Sequence, residues 1–103
     1  SSVRLPQKIE LALFRIVQEL LQNMLKHAQA SQVSVQLFKN QHQLILTVED
    51  NGVGMDLSAK QEGHGLRNIE SRLSTIGGIL LLESEKGKGT RATIRVAEPL
   101  TKN

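Results

Sequence analysis

Leu44-Ile45-Leu46-Thr47-Val48-Glu49-Asp50-Asn51-Gly52-Val53-Gly54 alternates as a pleated strand does and then breaks into a turn. Successive side chains of a strand point to opposite sides, so Leu44, Leu46 and Val48 share one face and Asp50 continues it. A carboxylate is thus aimed toward the core. Upstream, Val33, Val35 and Leu37 share one face of another strand, and the polar turn Lys39 to Gln43 makes the two a hairpin. Before them, after Leu5-Pro6, Ile9, Leu13, Ile16, Val17, Leu20, Met24 and Ala28 recur at helical spacing, which predicts an amphipathic helix from about Lys8 to Ala28. Downstream, a polar stretch from Asp56 to Gly63 leads to a second helix with the stripe Leu66, Ile69, Leu73 and Ile76, stopped by Gly77-Gly78. Ile79 to Ser84 is apolar enough for a central strand. Thr90, Ala92, Ile94 and Val96 alternate with Arg91, Thr93 and Arg95, which turns a basic side to solvent. The sum is an α+β two-layer sandwich, two helices on one face of a mixed β-sheet.

Composition sets the bounds. The 103 residues, 39% of them apolar, make one domain over 1–103 with a real core. The longest apolar run, Ile79-Leu80-Leu81-Leu82, is far short of the roughly 20 residues of a spanning helix, and no stretch of these residues reads as a signal peptide. Without cysteine there is neither a disulfide frame nor a thiolate metal site, which suits a reducing compartment. The net charge of +3 gives mild attraction for anions. Its basic residues are scattered from Arg4 to Lys102 and only Phe14 and Phe38 are aromatic, so base stacking is hard to arrange and no nucleic acid is expected. The start at Ser1-Ser2, without methionine, fits an excised or processed piece.

On the first helix Arg15, Glu19, Asn23 and Lys26 fall on one arc, expected opposite the apolar stripe, with His27 at its border. One reading is a solvated face with Glu19 and Asn23 as an i,i+4 pair and His27 packed beside Ile16 and Leu20. The other is a magnesium triphosphate site. Mg²⁺ keeps several waters and takes few protein oxygens, so a single amide carbonyl suffices, while Lys26 neutralises phosphate as a point charge.

An ionised Asp50 only accepts hydrogen bonds, and leaving it unpaired under apolar cover costs several kcal/mol, on the order of 2–7. It needs a donor. An Asx turn through Asp50 or Asn51 would supply one locally. Alternatively Gly52 and Gly54 leave room beside the carboxylate for a flat ring whose exocyclic amine supplies it. Gly63-His64-Gly65 precedes the helix at Leu66, where free N–H groups and the dipole favour phosphate, though glycines at a helix entry also make an ordinary flexible loop. Gly87-Lys88-Gly89-Thr90 is no Walker A loop, because Gly89 stands where Ser or Thr is required. Gly87 to Ala92 spells GxGxxA but opens a strand, so the dinucleotide fingerprint fails too, and alone the segment is a β-turn.

Taken in order, Arg15-Ile16-Val17-Gln18-Glu19 through Asn23 and Lys26-His27-Ala28, then Glu49 to Met55, then Gly63-His64-Gly65-Leu66, then Gly87-Lys88-Gly89-Thr90 resemble the asparagine box and the three glycine boxes of the GHKL ATPase superfamily. The wording around Glu19 to Ala28 and the short lid are most similar to sensor histidine kinases that work with response regulators of the NarL type. The resemblance spans roughly residues 9 to 97. It implies the Bergerat ATP-binding fold, with ATP and Mg²⁺ as cofactors. Asp50 would take the adenine amino group, Gly52 and Gly54 would shape the turn beneath the base, and Thr90, beside Gly89, would reach the adenine region. Asn23 would hold Mg²⁺, and Lys26 and His27 would lie near the phosphates. Gly63 and Gly65, flanking His64 and followed by Leu66, would hinge the lid. Glu19 would orient or polarise the phosphoacceptor.

Two departures stand out. Only seven residues, none of them Phe, separate Asp56 from His64, so the aromatic lid box of longer histidine kinases is missing. His27, His42 and His64 all lie within or between the ATP-site elements, so the phosphoacceptor box is absent and this piece alone should not autophosphorylate. The resemblance implies an ATP-dependent protein-histidine kinase domain whose partners are a phosphoacceptor histidine hairpin and a downstream response regulator. It would be cytoplasmic, or the cytosolic part of a membrane-anchored kinase, with no membrane contact of its own. An anti-sigma-factor-type serine kinase and a non-catalytic nucleotide-binding module are the alternatives.

Overall fold

The Pro6 carbonyl caps the first element: it accepts the Glu10 amide at 3.0 Å as the first helical bond and also, at 3.0 Å, the Ile9 amide, which a helix start would otherwise leave unpaired. The computed structural model describes residues 6–27, 30–39, 42–53 and 66–97, with backbone alone at 27, 66 and 67. Helix α1 is Gln7–His27, within a residue of the expected span at each end. It is followed by β1 Val33–Lys39, β2 Gln43–Asp50, α2 Leu66–Ser74, β3 Gly78–Glu85 and β4 Gly89–Ala97.

The four strands lie in the order β1-β2-β4-β3. All three pairings are antiparallel, which corrects the expected mixed sheet. The reason is where β4 goes. The crossover through α2 brings β3 back in the same direction as β2, and the two would pair in parallel if they met. Instead β4 inserts between them and runs against both. The same insertion puts β3 at an edge rather than at the centre, and Ile79 and Leu81 are 64% and 59% exposed on the uncovered face. Its apolar run was misleading because an edge strand shields only the side chains that face the helices, here Leu80 and Leu82.

On the helix-facing side the register builds three rows: Lys39, Leu44, Val96 and Gly78, then Leu37, Leu46, Ile94 and Leu80, then Val35, Val48, Ala92 and Leu82. The β2 and β4 members are buried, whereas Lys39, Leu37 and Val35 on the edge strand β1 stay exposed. Against them α1 packs Ile9, Leu13, Ile16, Leu20 and Met24, and α2 packs Ile69 and Leu73, all buried. Full burial of each such side chain stabilises by roughly 1.5–3 kcal/mol, so this layer holds the helices in place. Gly77, at φ 69°, ends α2 in the left-handed region, as the glycine pair predicts. Gly78 is tightly placed for a different reason, since a Cβ there would stand 2.8 Å from Leu73 Cδ2 and 3.2 Å from Val96 Cγ2, and those side chains would have to shift. The fourth row of this face, Val33, Asp50, Thr90 and Ser84, is the polar one. On the opposite face Arg91 pairs with Glu49 at 3.2 Å and approaches Glu83 at 3.9 Å, so the expected basic side is partly neutralised by its neighbours.

Candidate functional site

The polar row places its carboxylate where the alternation of β2 requires, and Asp50 is only 4% exposed. Its Oδ1 accepts the Gly52 amide at 2.7 Å, a local Asx-type bond. Oδ2 is buried and has no hydrogen-bond partner among the described residues. Half of this carboxylate is thus satisfied by its own turn, and the other half remains an acceptor awaiting a donor. Buried polar atoms are seldom left in that condition, because the desolvation penalty of a charged group is not returned.

Its neighbours on β3, β4 and the turn between them surround Asp50 there. Thr90 is its direct partner on β4, 2% exposed, with Oγ1 2.8 Å from Ser84 Oγ, so two hydroxyls adjoin the carboxylate on the covered face. Gly89, at φ 100°, lies against the Asp50 peptide so closely that a Cβ would collide with the Asp50 carbonyl oxygen. Its lack of a side chain is therefore a packing requirement of the site and more than a turn preference. The β3–β4 turn is tied down as well, since the Gly87 amide donates to the Val53 carbonyl at 2.7 Å.

Asn51, read from the sequence as a turn residue, does more. Its Oδ1 accepts the amides of Ser31 and Gln32 at 3.0 and 2.9 Å, and its Nδ2 donates to Ser31 Oγ at 2.9 Å. The Asn51 amide in turn donates to the Gln32 carbonyl at 3.2 Å. This one residue fastens the connection between α1 and β1 to the end of β2, twenty residues away. The partner segment carries no distinctive residue, so nothing in the sequence singled it out. A depression of about 650 Å³ opens at this end of the sheet between Gln32, Asp50, Asn51 and Lys88. A second, of about 250 Å³, lies at the same end against Asp50, Gly89 and Thr90 and extends to Glu49, Glu83 and Arg91 of the opposite face. Asp50 borders both.

The α1 stripe is arranged differently from the expectation. Arg15 and Lys26 are exposed, but Glu19 and Asn23 are half-buried on the flank of the helix rather than opposite its apolar side. A 3.6-residue turn puts Glu19 about 100° and Asn23 about 60° from the middle of the core stripe, and α2 packs on that flank. Arg72 of α2 donates from Nε to Glu19 Oε1 at 2.9 Å. The sequence reading did not find Arg72. Its signal was a lone cation bordering the Ile69 and Leu73 stripe, which helix periodicity alone cannot pair with a residue 53 positions away. Among the described residues no three His, Cys, Asp or Glu side chains gather to hold a metal. Leu66 opens α2 as expected and His27 ends α1. Gly54, Gly63, His64 and Gly65, with the side chain of His27, lie outside the described residues.

With this geometry in place, the similarities are informative. Residues 8–100 match the family model of the histidine kinase-, DNA gyrase B- and HSP90-like ATPases. The chain is similar to the signal transduction histidine-protein kinase/phosphatase DegS of Brevibacillus brevis, 39% identical over 95% of this chain and 25% of DegS. It is also similar to the sensor protein VraS of Staphylococcus aureus strain N315, 38% identical over 96% of this chain and 28% of VraS. It therefore spans about a quarter of the length of the curated relatives it matches. Among solved structures, the histidine kinase domain of the blue-light activated kinase of Erythrobacter litoralis superposes with a TM-score of 0.70 at 29% identity, over 86% of this chain and 43% of that one. The ATP-binding domain of PrrB from Mycobacterium tuberculosis gives 0.73 at 24% identity, over 85% and 68%, a likeness of fold.

Proposed function

From a chain that belongs to the histidine kinase-, DNA gyrase B- and HSP90-like ATPase family, we propose a domain that binds Mg-ATP and delivers the γ-phosphoryl group to a histidine on a separate phosphoacceptor hairpin. The observation that carries this reading is the buried Asp50 Oδ2 with no partner among the described residues, on a residue paired across the sheet with Thr90. An adenine amino group is a neutral donor of the right kind for an acceptor-only carboxylate. Oδ2 is covered in this structure, so entry of the base must displace what covers it. Gly89 and Gly52 keep the Asp50 turn tight enough to present that oxygen, and Asn51 keeps the turn from swinging away.

Along α1, Asn23 would supply one oxygen to a Mg²⁺ carried by the triphosphate, and the exposed Lys26 would neutralise phosphate charge. When bound, Mg²⁺ would neutralise charge developing on the phosphate oxygens. In the transfer itself a ring nitrogen of the acceptor imidazole bonds to the γ-phosphorus as the bond to the β,γ-bridging oxygen breaks, and ADP leaves with that electron pair. Glu19 would accept a hydrogen bond from the other ring N–H and so orient the acceptor. The names of the relatives, a signal transduction histidine-protein kinase/phosphatase and a sensor protein, support a sensor kinase. A response regulator of the NarL type as its partner, and the cytoplasmic side as its place, belong to the same proposal. No helix among the described residues is long and apolar enough to cross a membrane.

The test is to mix this chain with ATP labelled at the γ-phosphate and candidate acceptor hairpins from the same genome. Acid-labile label on a hairpin histidine is the expected result. Acid-stable label would instead indicate a serine acceptor, and tight ATP binding with no transfer to any hairpin would leave a nucleotide-binding module.

A further inference from the structure

We propose that Arg72 is a positioning residue for Glu19, an inference that rests on the role given to Glu19 above. The two side chains reach each other across the α1–α2 contact, Nε to Oε1 at 2.9 Å, with the carboxylate side chain 20% and the guanidinium side chain 40% exposed. Both ends of this contact are anchored. Ile16 and Leu20 bracket Glu19 on α1 and are 0% and 3% exposed, while Ile69 and Leu73 flank Arg72 on α2 at 0% and 2%. The last turn of α2 is closed around Arg72 itself, whose carbonyl accepts both the amide and the hydroxyl of Thr75. A cation in that turn also suits the negative end of the helix dipole.

A glutamate on an exposed helix face samples several rotamers. Held at Oε1 by a guanidinium fixed to a packed helix, it keeps one, and Oε2 is left to accept from an incoming N–H in a constant direction. Orientation of this kind acts on the transfer step and not on nucleotide affinity, because neither Arg72 nor Glu19 lies among the groups placed around the base. Arg72 therefore acts through Glu19, and the effects of the two must be coupled.

The experiment compares wild type, Glu19→Gln, Arg72→Met and the double variant for label transfer to an accepted hairpin at saturating Mg-ATP, with ATP affinity measured by calorimetry. Arg72→Gln is carried alongside in case the methionine variant melts below the assay temperature. We expect Glu19→Gln and Arg72→Met each to slow transfer by about ten- to a hundredfold with ATP affinity within twofold of wild type, and the double variant to be no slower than the slower single one. Wild-type transfer by Arg72→Met and Arg72→Gln while Glu19→Gln is slow would overturn the proposal and leave the Glu19 reading standing. Multiplied losses in the double variant would do the same, since they mark an independent structural effect. Wild-type transfer by Glu19→Gln would overturn the Glu19 reading and the proposal with it.

Discussion

Asp50 keeps one oxygen on the Gly52 amide and, among the described residues, the other on no donor, so in the absence of nucleotide it is a cost to the fold. That gives a sign test on stability. Asn retains a carbonyl oxygen for Gly52 but carries no charge, and Asp50→Asn should melt at the same temperature as wild type or higher in nucleotide-free buffer. A melting point several degrees lower, read by circular dichroism, would mean that the carboxylate has a structural partner outside the described residues. The alternation of β2 was enough to foresee both the burial of Asp50 and its need for a donor. The division of labour between its two oxygens was not foreseeable, because both an Asx turn and a ligand satisfy the same pattern, and here the turn takes only one lone-pair set. Arg72 was invisible for a related reason: a cation's partner on another helix depends on how the two helices cross, which periodicity does not encode.

At the scale of elements, the site is held by connections more than by strands. Asn51 makes three side-chain hydrogen bonds to Ser31 and Gln32, so Asn51→Ala should destabilise by about 1–3 kcal/mol, since such bonds contribute roughly 1 kcal/mol each and part is recovered by water at an exposed position. Chemical denaturation measures this, and a loss below about 0.3 kcal/mol would show the clasp to be dispensable. Gly89→Ala should cost more, about 2–4 kcal/mol, combining a left-handed backbone penalty of roughly 1–2 kcal/mol with displacement of the Asp50 peptide. The same variant should bind ATP more weakly, whereas Gly87→Ala, at φ 83° with open space around its Cβ position, should carry the backbone penalty alone and leave affinity unchanged. Equal affinity losses in the two would remove Gly89 from the site. From sequence the Gly87 to Thr90 segment read as a β-turn, and its spacing could not distinguish a glycine that turns the chain from one that lies against another strand's backbone.

Over the whole molecule, two helices packed on one face of a sheet followed from apolar periodicity, and all six elements form where they were expected. Strand order did not follow. Antiparallel pairing throughout and an edge position for β3 arise because β4 inserts beside β2, a long-range choice that local alternation leaves open. That choice also makes the site, since it sets Thr90 directly opposite Asp50 and Gly89 against its backbone. If nucleotide is the missing donor, binding must be linked to stability, and Mg-ATP at a hundred times its dissociation constant should stabilise the wild-type chain by about 2.7 kcal/mol. The most direct measurement is calorimetric titration of Mg-ATP into wild type and Asp50→Asn under identical conditions. The account predicts saturable binding to wild type and an affinity at least about thirtyfold lower in the variant, the equivalent of roughly 2 kcal/mol for a hydrogen bond to a charged group. Equal affinities would contradict it.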